Sequence, residues 1–304
     1  MFTRHFLEEV YVPRPRMTKL PAWCTALAAL AVLSTVGPPL HAQESGTDGI
    51  GTDHLFAFNA GTDMDDPGSK ELDAGFSGRF GRSGAAYTGI ESELSFQYQA
   101  TRNLQFELNA SGTFHHIKDV PGMDDRNGAA FGGLAMGLSY RLLDRAAHGI
   151  GLVVSAAPYW TRVDDDSGEP VNDLGSEFVI ASDVNLVPHI LVGVINVSYE
   201  PETSKSRIDG TWSRQSTIGV SGGLMARLSK GLLAGLEARY LRQYETLDLS
   251  ALAGQAVYLG PTVSVTLSDS AWLTLGWSAQ IAGRANGEDG ALDLTNFARQ
   301  QGRG

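Results

Sequence analysis

In the stretch 134–142 every second residue is large and apolar: Leu134, Met136, Leu138, Tyr140 and Leu142. Between them stand Ala135, Gly137, Ser139 and Arg141, which are small or polar. Period two sends the two sets to opposite faces of an extended chain, whereas a helix would spread both around its circumference. The pattern recurs over residues 70–80, 87–100, 104–114, 150–160, 177–186, 189–200, 217–228, 232–240, 257–267 and 271–281, which with 131–143 makes eleven strands. The cleanest is 104–114, with Leu104, Phe106, Leu108 and Ala110 set against Gln105, Glu107, Asn109 and Ser111.

The connections narrow the topology. Those at 101–103, 144–148, 187–188, 229–231 and 268–270 are tight, and between them fall long polar ones at 115–129, 162–173, 201–210, 244–253 and 283–290. The first connection, 81–86, occupies a long slot but is of middling length. Alternation of short turns with long loops is the mark of an outer-membrane barrel, whose short turns face the periplasm. The expected fold class is therefore all-β, a transmembrane antiparallel up-and-down β-barrel of about twelve strands. The twelfth would start near Leu292 and is expected to be truncated, because the chain ends Ala-Arg-Gln-Gln-Gly-Arg-Gly after Phe297, without a terminal aromatic.

A soluble sandwich also alternates, with its apolar face inward. Three features favour lipid instead. The strands reach the length that spans a bilayer at a tilt. Aromatics such as Phe80, Phe114, Phe131, Tyr140, Trp160, Tyr199 and Tyr240 gather near strand ends, where a girdle would sit. The polar face mixes acids with arginines, which a dry core would accept only if fully paired.

The rest of the chain fits export. Residues 17–42 read as a signal peptide: Lys19 gives the basic start, 26–36 the apolar core, and Leu40-His-Ala42 the small-residue cleavage site. Residues 1–16 read as a spurious N-terminal extension, 43–69 as a periplasmic linker or N-terminal segment, and 70–304 as the barrel. Within the linker, 54–62 is a short apolar patch that would serve as a latch, a plug or an extra strand. The only cysteine, Cys24, lies inside the signal, so the mature chain would carry no disulfide. The net charge of −11 argues against nucleic acid as a partner. Expected partners are outer-membrane lipid and lipopolysaccharide, the barrel-assembly machinery and small solutes, and the expected location is the bacterial outer membrane.

Several motifs resemble those of a family of uncharacterised proteobacterial outer-membrane β-barrels, loosely similar to the transporter-like proteins of meta-pathway phenol degradation. They are His54-Leu-Phe-Ala-Phe, Gly78-Arg-Phe-Gly81, Val120-Pro-Gly-Met-Asp-Asp-Arg126, Tyr140-Arg-Leu-Leu-Asp144, Asp166-Ser-Gly-Glu-Pro170, Tyr199-Glu-Pro201, Glu237-Ala-Arg-Tyr240, Gly260-Pro261 and Ala291-Leu-Asp-Leu-Thr-Asn-Phe297. The resemblance implies an outer-membrane barrel and hints at hydrophobic aromatic solutes, a class that the polar face does not favour.

No catalytic residue, metal or cofactor is assigned. Gly219-Val-Ser-Gly-Gly223 matches Gly-x-Ser-x-Gly, but Ser221 falls inside a strand rather than on a strand-to-helix turn. His115-His116, expected to begin a loop with Asp119, Asp124 and Asp125, has no standard zinc spacing. Asp164-Asp-Asp166 and Asp63-x-Asp65 depart from calcium-loop spacing and read as acidic loops. The useful feature is the polar face, which by parity collects Glu71, Asp73, Arg79, Glu91, Glu93, Glu107, Arg141, Glu177, Asp183, Arg227, Glu237 and Arg239. These residues would line either a water-filled lumen of acidic bias or a network of paired charges that fills it. The expected function is passive passage of small hydrophilic or cationic solutes. The alternatives are a lipid hydrolase using Ser221, or a structural or surface-binding barrel without transport.

Overall fold

The computed structural model describes residues 49–82, 85–120, 123–268 and 271–285. Its strands are β1 (Lys70–Arg82), β2 (Ala85–Thr101), β3 (Leu104–Lys118), β4 (Arg126–Leu143), β5 (Ile150–Val163), β6 (Pro170–Val187), β7 (Leu191–Ser206), β8 (Trp212–Ser229), β9 (Leu232–Tyr244), β10 (Leu252–Ser268), β11 (Ala271–Gly276) and β12 (Ala279–Ala285). From β1 to β11 each strand pairs with its sequence neighbours in one antiparallel, up-and-down sheet. β11 and β12 both lie along β10, as two halves of one strand interrupted at Trp277 and Ser278. The break falls opposite Pro261, which has no N–H for the ladder, and the Trp277 N–H donates to the Pro261 carbonyl at 3.1 Å. The described sheet thus has the eleven strands that the alternation predicts. The expected twelfth strand, the signal peptide and the N-terminal extension lie outside the described residues.

The faces fall as the alternation requires. Phe106 and Leu108 are 42% and 55% exposed, whereas Glu107 between them is 8% exposed. The outer face carries Leu72, Phe76, Leu94, Leu134, Met136, Ile180, Ile195, Leu224, Leu236 and Leu275, and the inner face is largely polar. One break in parity has a local cause. Across from Ser111 and Gly112 the register of β4 shifts by one residue between Phe131 and Gly133, so Gly132 and Gly133 both turn inward. A Cβ on Gly133 would sit 2.2 Å from the Trp160 carbonyl oxygen, so glycine permits this β-bulge.

Two expectations about connections change. β3 runs on through His115 and His116 to Lys118, and β7 runs on through Pro201 to Ser206, so the long connections are shorter than the sequence pattern implies. Where both faces of a strand are polar, alternation vanishes, yet the backbone ladder continues and only the hydropathy signal ends. The tight connection at 144–148 forms a single helical turn, α1 (Arg145–His148), capped by the Asp144 side chain on the Ala146 N–H and ended by Gly149 at φ 77°. This turn sends Arg145 inward.

The sheet curls into a barrel-like shell around residues 49–66. His54 touches Glu71 on β1 and stacks on Trp272 of β11, so one residue bridges strands at the two ends of the sheet. Among the described residues, the outer edges of β1 and of β11 and β12 have no strand partner.

Candidate functional site

Residues 49–66 fill the end of the interior that lies next to the tight turns. Ile50, Leu55 and Phe56 pack with Val192 and Val194 of β7, Met225 of β8 and Leu233 of β9 in a dry cluster. Removing these side chains from water supplies the segment's nonpolar hold on the wall. Glycines on the wall make the approach possible. A Cβ on Gly223 would lie 3.0 Å from the Phe56 ring, one on Gly151 would overlap the Thr62 hydroxyl, and one on Gly276 would lie 2.3 Å from the Ala57 Cβ.

Two wall carboxylates fix the segment's backbone. The Glu237 carboxylate on β9 accepts from the Ala57 N–H at 2.8 Å, the Phe58 N–H at 2.9 Å, the Asn59 amide at 2.6 Å and the Thr262 hydroxyl. Four donors use the full accepting capacity of a buried carboxylate. Asp183 on β6 accepts from the Thr62 N–H at 2.9 Å and from the hydroxyls of Thr62 and Thr52. Arg145 joins this group through Asp63, through the Ile50 carbonyl at 2.8 Å, and by an ion pair with Asp183 at 3.4 Å. Burial pushes the Asp63 pKa up, and the Arg145 guanidinium opposes that shift. Arg239 lies over the Phe58 ring at 4.2 Å and donates to the Ser278 hydroxyl.

At the edge of the segment, Nε2 of His54 meets Glu71 Oε2 at 3.1 Å and Asp53 Oδ2 at 3.2 Å. Burial disfavours a charged imidazole here, but the Asp53 and Glu71 carboxylates outweigh it and push its pKa up to about 11. Asp65 nearby, exposed on one side but partly desolvated at its carboxyl, is pushed up to about 6, by that desolvation and then by the charges of Asp53 and Glu71.

The opposite end is covered by the β5–β6 connection, residues 164–169. Asp164 organises the turn by accepting from the Ser167 N–H and hydroxyl, each at 2.8 Å. Asp165 and Asp166 are buried, and Arg79 of β1 pairs with Asp166 at 2.7 Å and with Asp165 at 3.7 Å. Tyr87 donates to the Asp166 carbonyl, and the His115 ring meets the Asp165 carbonyl at 2.9 Å. The expected solvated acidic loop is therefore a lid tied across to β1, β2 and β3. His115, expected in a loop, faces inward on β3 beneath that lid, while His116 is exposed.

A protein-family model described as a family of unknown function, DUF6662, matches residues 49–303. The chain belongs to this family. The DUF6662 match takes in the interior segment together with the strands. No functionally curated protein matches the chain.

In this DUF6662 fold the twelve residues expected along the lumen divide by role. Glu71, Asp183 and Glu237 anchor the interior segment, and Arg79 anchors the lid. Asp73, Glu107, Glu177 and Arg239 are buried on the inner face, and Glu91 and Glu93 are half-buried there. Arg141 sits half-buried at the tight-turn rim, where it donates to the Arg102 carbonyl. Arg227 has inward parity but lies two residues from the β8–β9 turn and is exposed, so it lines nothing. Ser221 faces inward in the middle of β8, level with Asn196 and Arg239, and not on the sharp turn a nucleophile needs.

Sequence reasoning missed Thr52, Thr62 and Asp63 as the segment's anchoring groups, and Arg145 and the wall glycines as its partners. One signal was present: over 190–195 the chain is apolar on both parities, Ile190, Leu191, Val192, Val194 and Ile195. Loss of alternation there marks the part of the inner wall that faces a dry occupant.

Proposed function

We propose that this chain is an outer-membrane β-barrel that passes small hydrophilic or cationic solutes along a narrow interior route. The observation that carries this reading is the sidedness of the sheet, with an apolar outer belt and a charged inner wall rich in carboxylates. An outer surface of that kind is solvated well by lipid and poorly by water. Between the segment and the lid, Asp73, Glu107 and Glu177 give the inner wall an acidic bias that favours cations. Among the described residues the buried side-chain oxygens of Asn109, Thr113 and Asn196 have no protein partner, as in an interior that water reaches. The motif resemblance to an outer-membrane family loosely similar to transporter-like proteins supports solute passage, while the aromatic solutes it hints at are not the class that the polar wall favours.

Planar-bilayer recording on the refolded protein tests the proposal. Discrete conductance steps with a reversal potential favouring potassium over chloride are expected, and Glu177→Gln together with Glu107→Gln should reduce that preference. A second reading, a barrel without transport that serves envelope structure or surface binding, draws on the filled tight-turn end. It would be favoured if neither the native chain nor a variant with the segment displaced conducts.

A further inference from the structure

We propose that Asp53, His54 and Glu71 form a binding site for a zinc-class divalent cation at the seam between the interior segment and the first strand. His54 Nε2 faces one oxygen of each carboxylate, at 3.1 Å and 3.2 Å, and the three donor atoms all lie within 4.8 Å of one another. Zinc bonds of about 2.0–2.2 Å at tetrahedral angles set neighbouring donors about 3.3–3.6 Å apart. The two nitrogen–oxygen pairs therefore need to spread by only a few tenths of an ångström to admit the ion, and the two carboxylate oxygens, within 4.8 Å of each other, adjust to the same scale by side-chain rotation.

The His54 donor is held in place before any ion arrives. The imidazole stacks on Trp272 with centroids 4.3 Å apart and planes 20° from parallel. The Thr274 hydroxyl donates to the His54 carbonyl at 2.6 Å, so backbone and ring are both tied to β11. The His54 side chain is 10% exposed, whereas that of Asp53 is 37% exposed, which leaves one side open for the ion and for a water as fourth ligand. Two carboxylates around one imidazole nitrogen select for positive charge at a single point, and a divalent cation meets that demand in place of a proton. One nitrogen and two carboxylate oxygens form a mixed donor set that suits zinc better than calcium or magnesium, which take oxygen ligands.

The site joins three parts of the fold. Asp53 and His54 belong to the interior segment, Glu71 to β1, and the ring's stacking partner to β11. An occupied site would fasten the segment to the wall at the point where the sheet's ends approach.

The test is calorimetric titration of zinc chloride into the refolded full chain, without a histidine tag and in detergent. One saturable zinc ion per chain is expected, with affinity weakened at least about tenfold by His54→Gln and by Asp53→Asn. His116→Gln, an exposed histidine elsewhere on β3, should bind zinc as the native chain does. Far-UV circular dichroism checks that each variant folds, and Asp53→Asn, altering the most exposed ligand, decides the matter if His54→Gln does not fold. Absence of saturable binding, or equal affinity in Asp53→Asn, overturns the proposal. The titration needs no conductance, so its outcome is independent of the transport reading.

Discussion

Single carboxylates on the inner wall do unlike work according to what stands in front of them. Glu237 accepts two backbone N–H groups, one amide and one hydroxyl, so removing it strands several donors in a dry place. Unsatisfied buried groups each cost about 1–3 kcal/mol, which puts Glu237→Ala at roughly 3 kcal/mol or more of lost stability. Urea denaturation of the refolded protein measures this, and a loss under about 1 kcal/mol would contradict the four-donor geometry. Asp65 behaves oppositely. Its pKa rises from 3.8 unfolded to about 6 folded, so the folded chain holds the proton more tightly. Its contribution is fully present below pH 3.8 and lost as pH rises through about 6. Asp65→Asn should therefore raise the melting temperature at pH 8 and leave it nearly unchanged below pH 3.8. The sequence marked Glu71, Asp183 and Glu237 as inward-facing by parity alone. It did not reveal that each meets the interior segment, because those partners lie more than a hundred residues away for Asp183 and Glu237.

At the scale of elements, the interior segment and the lid are held by different means, and substitutions should separate them. The segment depends on close backbone approach, since a side chain at Gly151 or Gly223 would occupy the space of Thr62 or Phe56. Gly223→Leu is expected to displace residues 49–66 while the strands persist, seen as new protease cleavage in the segment with an unchanged β-type circular dichroism spectrum. In bilayers the same variant should conduct more than the native chain. The lid depends on charge, because Arg79 spans from β1 to Asp165 and Asp166. Arg79→Ala should raise hydrogen exchange across residues 164–169 and leave the segment protected. Strand positions were legible from alternation, and the segment's place was not. A short apolar patch such as 54–58 reads the same whether it latches, plugs or pairs, until a surface of matching shape is known.

For the whole molecule, the outer belt makes the membrane reading testable by one residue. Leu108 is exposed on the outer face of β3. If lipid surrounds it, Leu108→Arg destabilises the folded barrel by about 2–4 kcal/mol when placed near the bilayer midplane. If water surrounds it, an arginine there is harmless, so a neutral result in lipid refolding would count against the membrane location. Long antiparallel strands in chain order also mean that, inside the two outer edges, the backbone satisfies its hydrogen bonds across the described sheet, as lipid would demand of any spanning structure.

The sequence by itself determined the strands, their order and which face of each is apolar, because period two is a local property that survives any arrangement of neighbours. It also gathered the charged residues on the face opposite the apolar one. Only the tertiary structure decided what that side encloses. The grip of Asp183 and Glu237 on residues 52–62, the reach of Arg79 to the lid, and the meeting of His54 with both β1 and β11 all join residues far apart in the chain. Curvature of the sheet brings those partners together, and no spacing along the chain encodes such a distance.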